Sequence, residues 1–442
     1  MKQDFKWTLF NVGKRFFTIP LTLSLLIGTT SVKLHAQAYK LNQVIVLNDG
    51  NRLNVNNGSY ATIGSYNPAT KVYQDFDVIR ANFGCCVIID SGFIYAAVDS
   101  LLIKYNLNTK ARLLTQTVVG IREIAVWGNQ ILVTRGTTFP LKSYFQVYDK
   151  HTLNLLYQDT TVSHASQGIK VLGDSAYIAI NDFGSGSMGN LGVIDLKAQK
   201  EKHEVNLGPS GLNPYDVEVD PLNKKIYTVN DLTFSNSTVT KYDAPTVTFT
   251  NTSLNLTASC TGSTYYIGNV YFQAGNDYNI GEFSTSSLSV WDSLKIKKYV
   301  YGLSIDSADG YVYVGQTDYV SYGKVFVYNL FGQAVDSFQV DVGPGNFAFD
   351  ISSVNAVPET NISIGLSAYP NPAVNEIYVK CTDTYNERAT LSLIDVLGRT
   401  VYQTFFNTGS PLTIPLNGIP SGVYFIKVET ANSSVVKQIV KQ

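Results

Sequence analysis

Four aspartates stand at corresponding points of a repeated phrase. Asp182, Asp231, Asp277 and Asp318 each follow a short apolar run and open a polar loop. Aromatic residues occupy the corresponding loops: Phe139, Tyr144, Phe183, Phe234, Tyr278, Tyr319 and Tyr322. Carboxylates beside flat rings suit sugars, peptides or aromatic ligands, because a two-torsion ring gives broad contact at little rotamer cost. The same aspartates also fit turns at strand ends, where the side chain caps the backbone two residues on. Both uses stay open at this level. A second set, Asp216, Glu218 and Asp350, offers oxygen ligands for a hard cation, or simply solvated carboxylates in a channel.

Much familiar chemistry is missing. Beyond residue 38 the histidines are His151, His164 and His203. No Cys/His metal constellation, Gly-x-Ser-x-Gly elbow or phosphate loop ahead of a helix is present. Gly184-Ser185-Gly186-Ser187 joins two strands, so it lacks the helix N-terminus that cradles phosphate. Cys85, Cys86, Cys260 and Cys381 lack zinc spacing. Cys85 and Cys86 are adjacent on a strand, which predicts side chains on opposite faces. They read as small hydrophobes rather than a strained vicinal disulfide. No catalytic residue, metal or cofactor is expected. The first reading is a non-enzymatic binding or scaffold protein; a lyase, lactonase or quinoprotein-like enzyme is the alternative.

The elements that must position these residues are short strands. In Tyr299–Gly332 an apolar strand (Tyr301–Asp306), a tight turn (Ser307–Gly310), an alternating strand (Tyr311–Val314), a loop opened by Asp318 and a third strand (Val325–Tyr328) form an antiparallel meander. Its second strand recurs as VIVLND, IYAAVD, ILVTRG, YIAIND, IYTVND, VYFQAGND and VYVGQTD. The spacing of roughly 37 to 50 residues suits four-stranded units that cannot bury their faces alone. The first copy lacks a leading strand, and Phe347–Ile351 (FAFDI) has no partner after it. The pattern predicts seven units closed into a ring by strand exchange, with Asn346–Ser352 completing the unit begun at Asn42. Loops between second and third strands are longer than the other turns and must share one face, the expected binding face.

The totals agree. The chain has 442 residues, 45% hydrophobic and 12% aromatic, with 29 Tyr, 34 Gly and 22 Phe, a composition suited to strands and turns. The formal net charge is −1, and five basic residues lie in the first 38. The remainder is mildly acidic with no basic patch, which argues against nucleic acid. Those 38 residues read as a cleavable signal: basic Met1–Arg15, apolar Phe16–Val32 broken by Pro20 and Gly28, then small Ala36 and Ala38 for a peptidase. No later stretch is long and apolar enough to span a bilayer as a helix.

The repeat resembles YVTN-type β-propellers of bacterial surface and periplasmic proteins, closest at Ile226-Tyr227-Thr228-Val229-Asn230-Asp231. The resemblance implies extracellular binding of a glycan, peptide or surface protein, without a defined ligand. After Asn355 the texture changes to Tyr369-Pro370-Asn371-Pro372, Asp395-Val396-Leu397-Gly398-Arg399, Ser421-Gly422-Val423-Tyr424 and a basic end, Val436–Gln442. This stretch resembles the type A C-terminal sorting domain of the type IX secretion system of Bacteroidetes. That resemblance implies the type IX machinery as partner, with passage through the periplasm to the cell surface or the medium. The expected organisation is all-β: a signal over 1–38, a seven-bladed propeller over 39–355, a linker over 356–365 and an Ig-like sandwich over 366–442.

Overall fold

The computed structural model describes residues 38–442, except 52–59, 184–185, 222, 233–235, 255–257, 275–279, 286, 289, 295, 297–299, 355–364, 383–387, 396–398 and 431–433. Among the described residues the regular structure is all strand, without a helix. Among the described residues no helix is long and apolar enough to cross a membrane.

Among the described residues, seven four-stranded antiparallel sheets precede residue 355. Six take four consecutive strands, as in Gly84–Asp90, Phe93–Val98, Leu101–Asn106 and Arg112–Thr117. The seventh is composite. Pro344–Val354 pairs with Ala38–Asn48, and Ala61–Asn67 and Val72–Ile79 complete the sheet. Its register sets Phe347 opposite Val46 and Phe349 opposite Val44. The innermost strands then stand side by side in order: Gly84–Asp90, Ile121–Trp127, Ser166–Leu172, Pro214–Asp220, Ala258–Tyr266 and Gly302–Ile305. Pro344–Val354 follows and returns to Gly84–Asp90. Four-stranded sheets stacked radially in this way fit the blades of a propeller.

Burial within each sheet follows from that stacking. The second strand is covered on both faces by neighbouring sheets, so Phe93–Val98 and Ser175–Ile180 are buried almost throughout. The fourth strand lies at the rim, and Arg112–Thr117 is nearly all exposed. A strand covered twice tolerates apolar side chains on both faces, which is why these segments read as runs rather than alternations.

The innermost strands depart from regular pairing. Their register shifts between Gly84 and Cys86, Ile121 and Ile124, Ser166 and Ile169, Pro214 and Asp216, and Ala258 and Ser263. Such a bulge adds a residue and re-aims its neighbours. Cys85 and Cys86 therefore both line the central cavity, contrary to the opposite-face expectation, and both are free thiols.

After residue 364 the strands form two further sheets. Gly365–Tyr369, Glu376–Thr382 and Leu412–Pro415 make one; Arg388–Asp395, Thr400–Asn407, Gly422–Glu429 and Ser434–Lys441 make the other. Their apolar faces share one core, which includes Ile377, Val379, Leu391, Leu393, Ile414 and Ile426.

Candidate functional site

Strand direction alternates within each sheet. Connections from second to third strand, and from the fourth strand to the next innermost strand, therefore emerge on one face. The innermost strands begin at that face, and between their first residues lies a cavity of about 350 Å³. Its lining includes Cys85, Arg122, Glu123, Lys170, Asp216, Ser263 and Tyr301.

A charged cluster occupies the cavity wall. Lys170 Nζ donates to Glu123 Oε1 at 3.2 Å and stands 3.7 Å from Glu218 Oε1. Glu123 Oε2 accepts the Ile169 N–H at 3.1 Å. Asp216 accepts from the Ser263 N–H at 2.6 Å, the Ser263 hydroxyl at 3.0 Å and the Val217 N–H at 2.8 Å. Burial pushes Glu123 up to about 7 and Glu218 up to about 8, against the pull of Lys170. Burial also opposes the charge on Lys170, but Glu123, Glu218 and Asp216 outweigh it and hold the ammonium well above its usual range.

Arg122 is treated differently. Its guanidinium carbon lies 4.0 Å from the centre of the Phe183 ring. Its Nε is buried and makes no hydrogen bond among the described residues. Burial lowers its pKa, with Cys85 and Tyr215 acting in the opposite sense.

The loop residues singled out from sequence divide into groups. Asp182 accepts from the Gly186 N–H at 3.0 Å and from the Ser187 N–H and hydroxyl at 2.9 and 2.6 Å. Asp318 accepts from the N–H groups of Val320 and Ser321 at 2.9 and 2.7 Å, and these bonds hold its carboxyl below the usual range. Both carboxylates build their own loops. Asp231 is buried at a strand end, where its backbone exchanges hydrogen bonds with Asn213. Each of the two loop-building aspartates is followed by an aromatic residue in the left-handed region, Phe183 at φ 56° and Tyr319 at φ 67°. Phe183 turns under Arg122, and Tyr319 meets Tyr301 edge-on at 5.3 Å. Tyr301 in turn donates to Asp49. Tyr144 packs beside the core around Phe145 and Ile178. Phe139 and Tyr322 are 56% and 72% exposed. Phe234, Asp277 and Tyr278 lie outside the described residues.

The suggested cation set does not assemble. Asp216 and Glu218 face Lys170, while Asp350 accepts from Gln43 at 2.8 Å and is not in the cavity wall. Among the described residues no three His, Cys, Asp or Glu side chains are grouped to hold a metal ion. Sequence reasoning missed Arg122, Glu123 and Lys170. The available signal was charge inside segments otherwise buried on both sides: a strand that carries Arg-Glu or Lys there must face a polar channel.

At the C-terminal end the Tyr369-Pro370-Asn371-Pro372 segment is tied to the last strand. Asn371 Nδ2 donates to the Gln438 carbonyl at 3.2 Å, and Asn371 Oδ1 accepts the Val440 N–H at 2.8 Å. Tyr369 stacks on Tyr378, 6.0 Å between ring centres. Gly422 opens a strand, and the buried Tyr424 donates to the Pro420 carbonyl at 2.8 Å. Gly398 and Ala36 lie outside the described residues; Ala38 stands in the first strand, opposite Val354.

Residues 367–442 match the family of secretion system C-terminal sorting domains. This end of the chain is a sorting domain of the type IX kind, which implies handling by that secretion system and export to the cell surface or beyond. No curated protein sequence matches the chain. Solved structures with similar folds include hydrazine synthase of Kuenenia stuttgartiensis, at 16% identity, covering 60% of this chain and 88% of that one with a TM-score of 0.49. The extracellular domain of a one-component system from B. thetaiotaomicron is 11% identical, covers 91% and 57%, and has a TM-score of 0.47. BamB from Moraxella catarrhalis is 14% identical, covers 78% and 95%, and has a TM-score of 0.43.

Proposed function

We propose that the protein is an exported seven-bladed propeller, of the YVTN type its repeat resembles, over residues 39–355. A signal over 1–38 precedes it, and a linker over 356–365 leads to an Ig-like sorting sandwich over 366–442. In this reading the propeller binds a glycan, peptide or surface protein where its channel opens on the long-loop face. The observation that carries the reading is the cavity between the innermost strands, with Phe183 against Arg122 and Tyr319 against Tyr301, two of the residues that line it. Exposed Tyr322 and Phe139 extend the aromatic surface outward. Binding is favoured over catalysis because Asp216 and Glu123 are each held in place by hydrogen bonds from backbone N–H groups, Ser263 and Lys170. The test is a glycan and peptide array probed with the exported protein. Tyr322→Ala and Phe139→Ala should weaken the captured ligand several-fold and leave thermal stability within about 0.5 kcal/mol, as for other exposed sites. Unchanged binding in both variants would remove the rim from the site.

A second reading is an enzyme acting on an extracellular substrate. It is favoured by Glu123 and Glu218, whose raised values suit proton transfer near neutral pH. A turnover rate that is lost in Glu123→Gln while ligand affinity persists would establish it.

A further inference from the structure

We propose that the channel cavity takes a singly charged, hydroxylated carboxylate of the uronic-acid class, with its carboxylate held by Arg122. This rests on the channel mouth being the binding site. The carboxylates of Glu123 and Asp216 are engaged by Lys170, Ser263 and backbone N–H groups. Lys170 spends one of its three N–H donors on Glu123 and stands beyond hydrogen-bond distance of Glu218. Arg122 has a buried Nε with no partner, and no carboxylate among the described residues pairs with its guanidinium.

A buried guanidinium without a counter-charge is costly. Here the guanidinium carbon stands 4.0 Å from the centre of the Phe183 ring, and Arg122 lines the cavity. A planar fork placed there matches a carboxylate through two parallel hydrogen bonds. The neighbouring Glu123 and Asp216 set the charge of the guest. They oppose a dianion such as phosphate more than a monoanion. Elsewhere the lining sets the neutral polar side chains of Gln167, Ser304 and Asn346, which suit hydroxyl groups, beside apolar Val87, Leu303 and Phe347, which suit a sugar's C–H face. The volume of about 350 Å³ suits a guest of sugar size.

The decisive comparison is calorimetric titration of the exported full-length protein with galacturonate and with its methyl ester, which keeps every hydroxyl and removes the charge. The free acid should bind, and the ester should bind at least tenfold more weakly. Arg122→Gln should weaken the acid at least tenfold and leave the ester unaffected, while Arg122→Lys, which keeps charge without the fork, should fall between. Equal binding of acid and ester, or full acid binding by a folded Arg122→Gln, overturns the proposal. If Arg122→Gln fails to fold, the acid–ester difference in the unaltered protein and Arg122→Lys decide. A neutral glycan or peptide whose binding needs Tyr322 but ignores Arg122 would overturn the acid-sugar proposal and leave the loop-face reading standing. Absence of binding to every probe on both platforms overturns both.

Discussion

Lys170 stands among three carboxylates, two of which burial drives toward the neutral form. Their titration has a definite sign. Glu123 and Glu218 bind protons more tightly folded, at about 7 and about 8, than at the ordinary 4.5. Their contribution is complete below pH 4.5 and is lost as pH rises through those values, with a limiting slope of about 1.4 kcal/mol per pH unit for each extra proton bound. Glu201, raised to about 7 first by burial and then by Glu204, adds to the same trend. Lys170, held above the ordinary 10.5, changes the curve only above that ordinary value and so lies outside this window. The melting temperature should therefore fall between pH 5 and 8, and Glu218→Gln should flatten the fall. Parallel curves for the two proteins would show that Glu218 is ordinary in the folded state. Left-handed φ at a non-glycine residue costs of order 1 kcal/mol; Phe183 and Tyr319 both adopt it, and their rings meet Arg122 and Tyr301 of the cavity lining.

The bulge at the start of an innermost strand is the element that builds the cavity. It lets consecutive residues, Arg122 with Glu123 and Cys85 with Cys86, share one wall. Period-2 reading recognises only the regular part of such a strand. In Ile121–Trp127 the alternation covers Ile124–Trp127 and leaves out Arg122 and Glu123, which carry the charge. Close approach between neighbouring innermost strands also matters. A Cβ on Gly168 would stand 2.7 Å from Asp216 Cα and 2.8 Å from Val217 N, both backbone atoms. Gly168→Ala should cost about 1–3 kcal/mol through overpacking. It should lower the urea midpoint at unchanged slope and disturb Asp216. An unaltered midpoint would mean that the two strands separate freely.

At the scale of the molecule, closure depends on one strand from the far end of the propeller. Pro344–Val354 completes the sheet begun by Ala38–Asn48 and packs against innermost strands on both sides. Without it two strand edges would be open, and exposed edges recruit other chains. A chain ending at Val342 should aggregate or elute as oligomers in size-exclusion chromatography, whereas one ending at Val354 should be monodisperse. Equal behaviour of the two would make the exchange dispensable. The sorting domain acts on the whole molecule as an address. Removing 367–442 should leave the protein in the periplasm on cell fractionation, with the propeller's melting temperature within a few degrees of the full chain's.

Composition, period and the repeated phrase were enough to show an all-β chain of like units and to locate the strand that returns to the first of them, while the sorting end was marked by the family resemblance of motifs such as Tyr369-Pro370-Asn371-Pro372. Those features are local: alternation and turn chemistry are written in neighbouring residues. The meeting of Arg122, Glu123, Lys170 and Asp216 is not local. These residues come from three strands, and the bulges that aim them break the periodicity by which strands are read. Sequence could name Asp216 and Glu218 as channel carboxylates but paired them with Asp350. Only the ring, which sets the Ser166–Leu172 strand beside Pro214–Asp220, decided that their partner is a lysine.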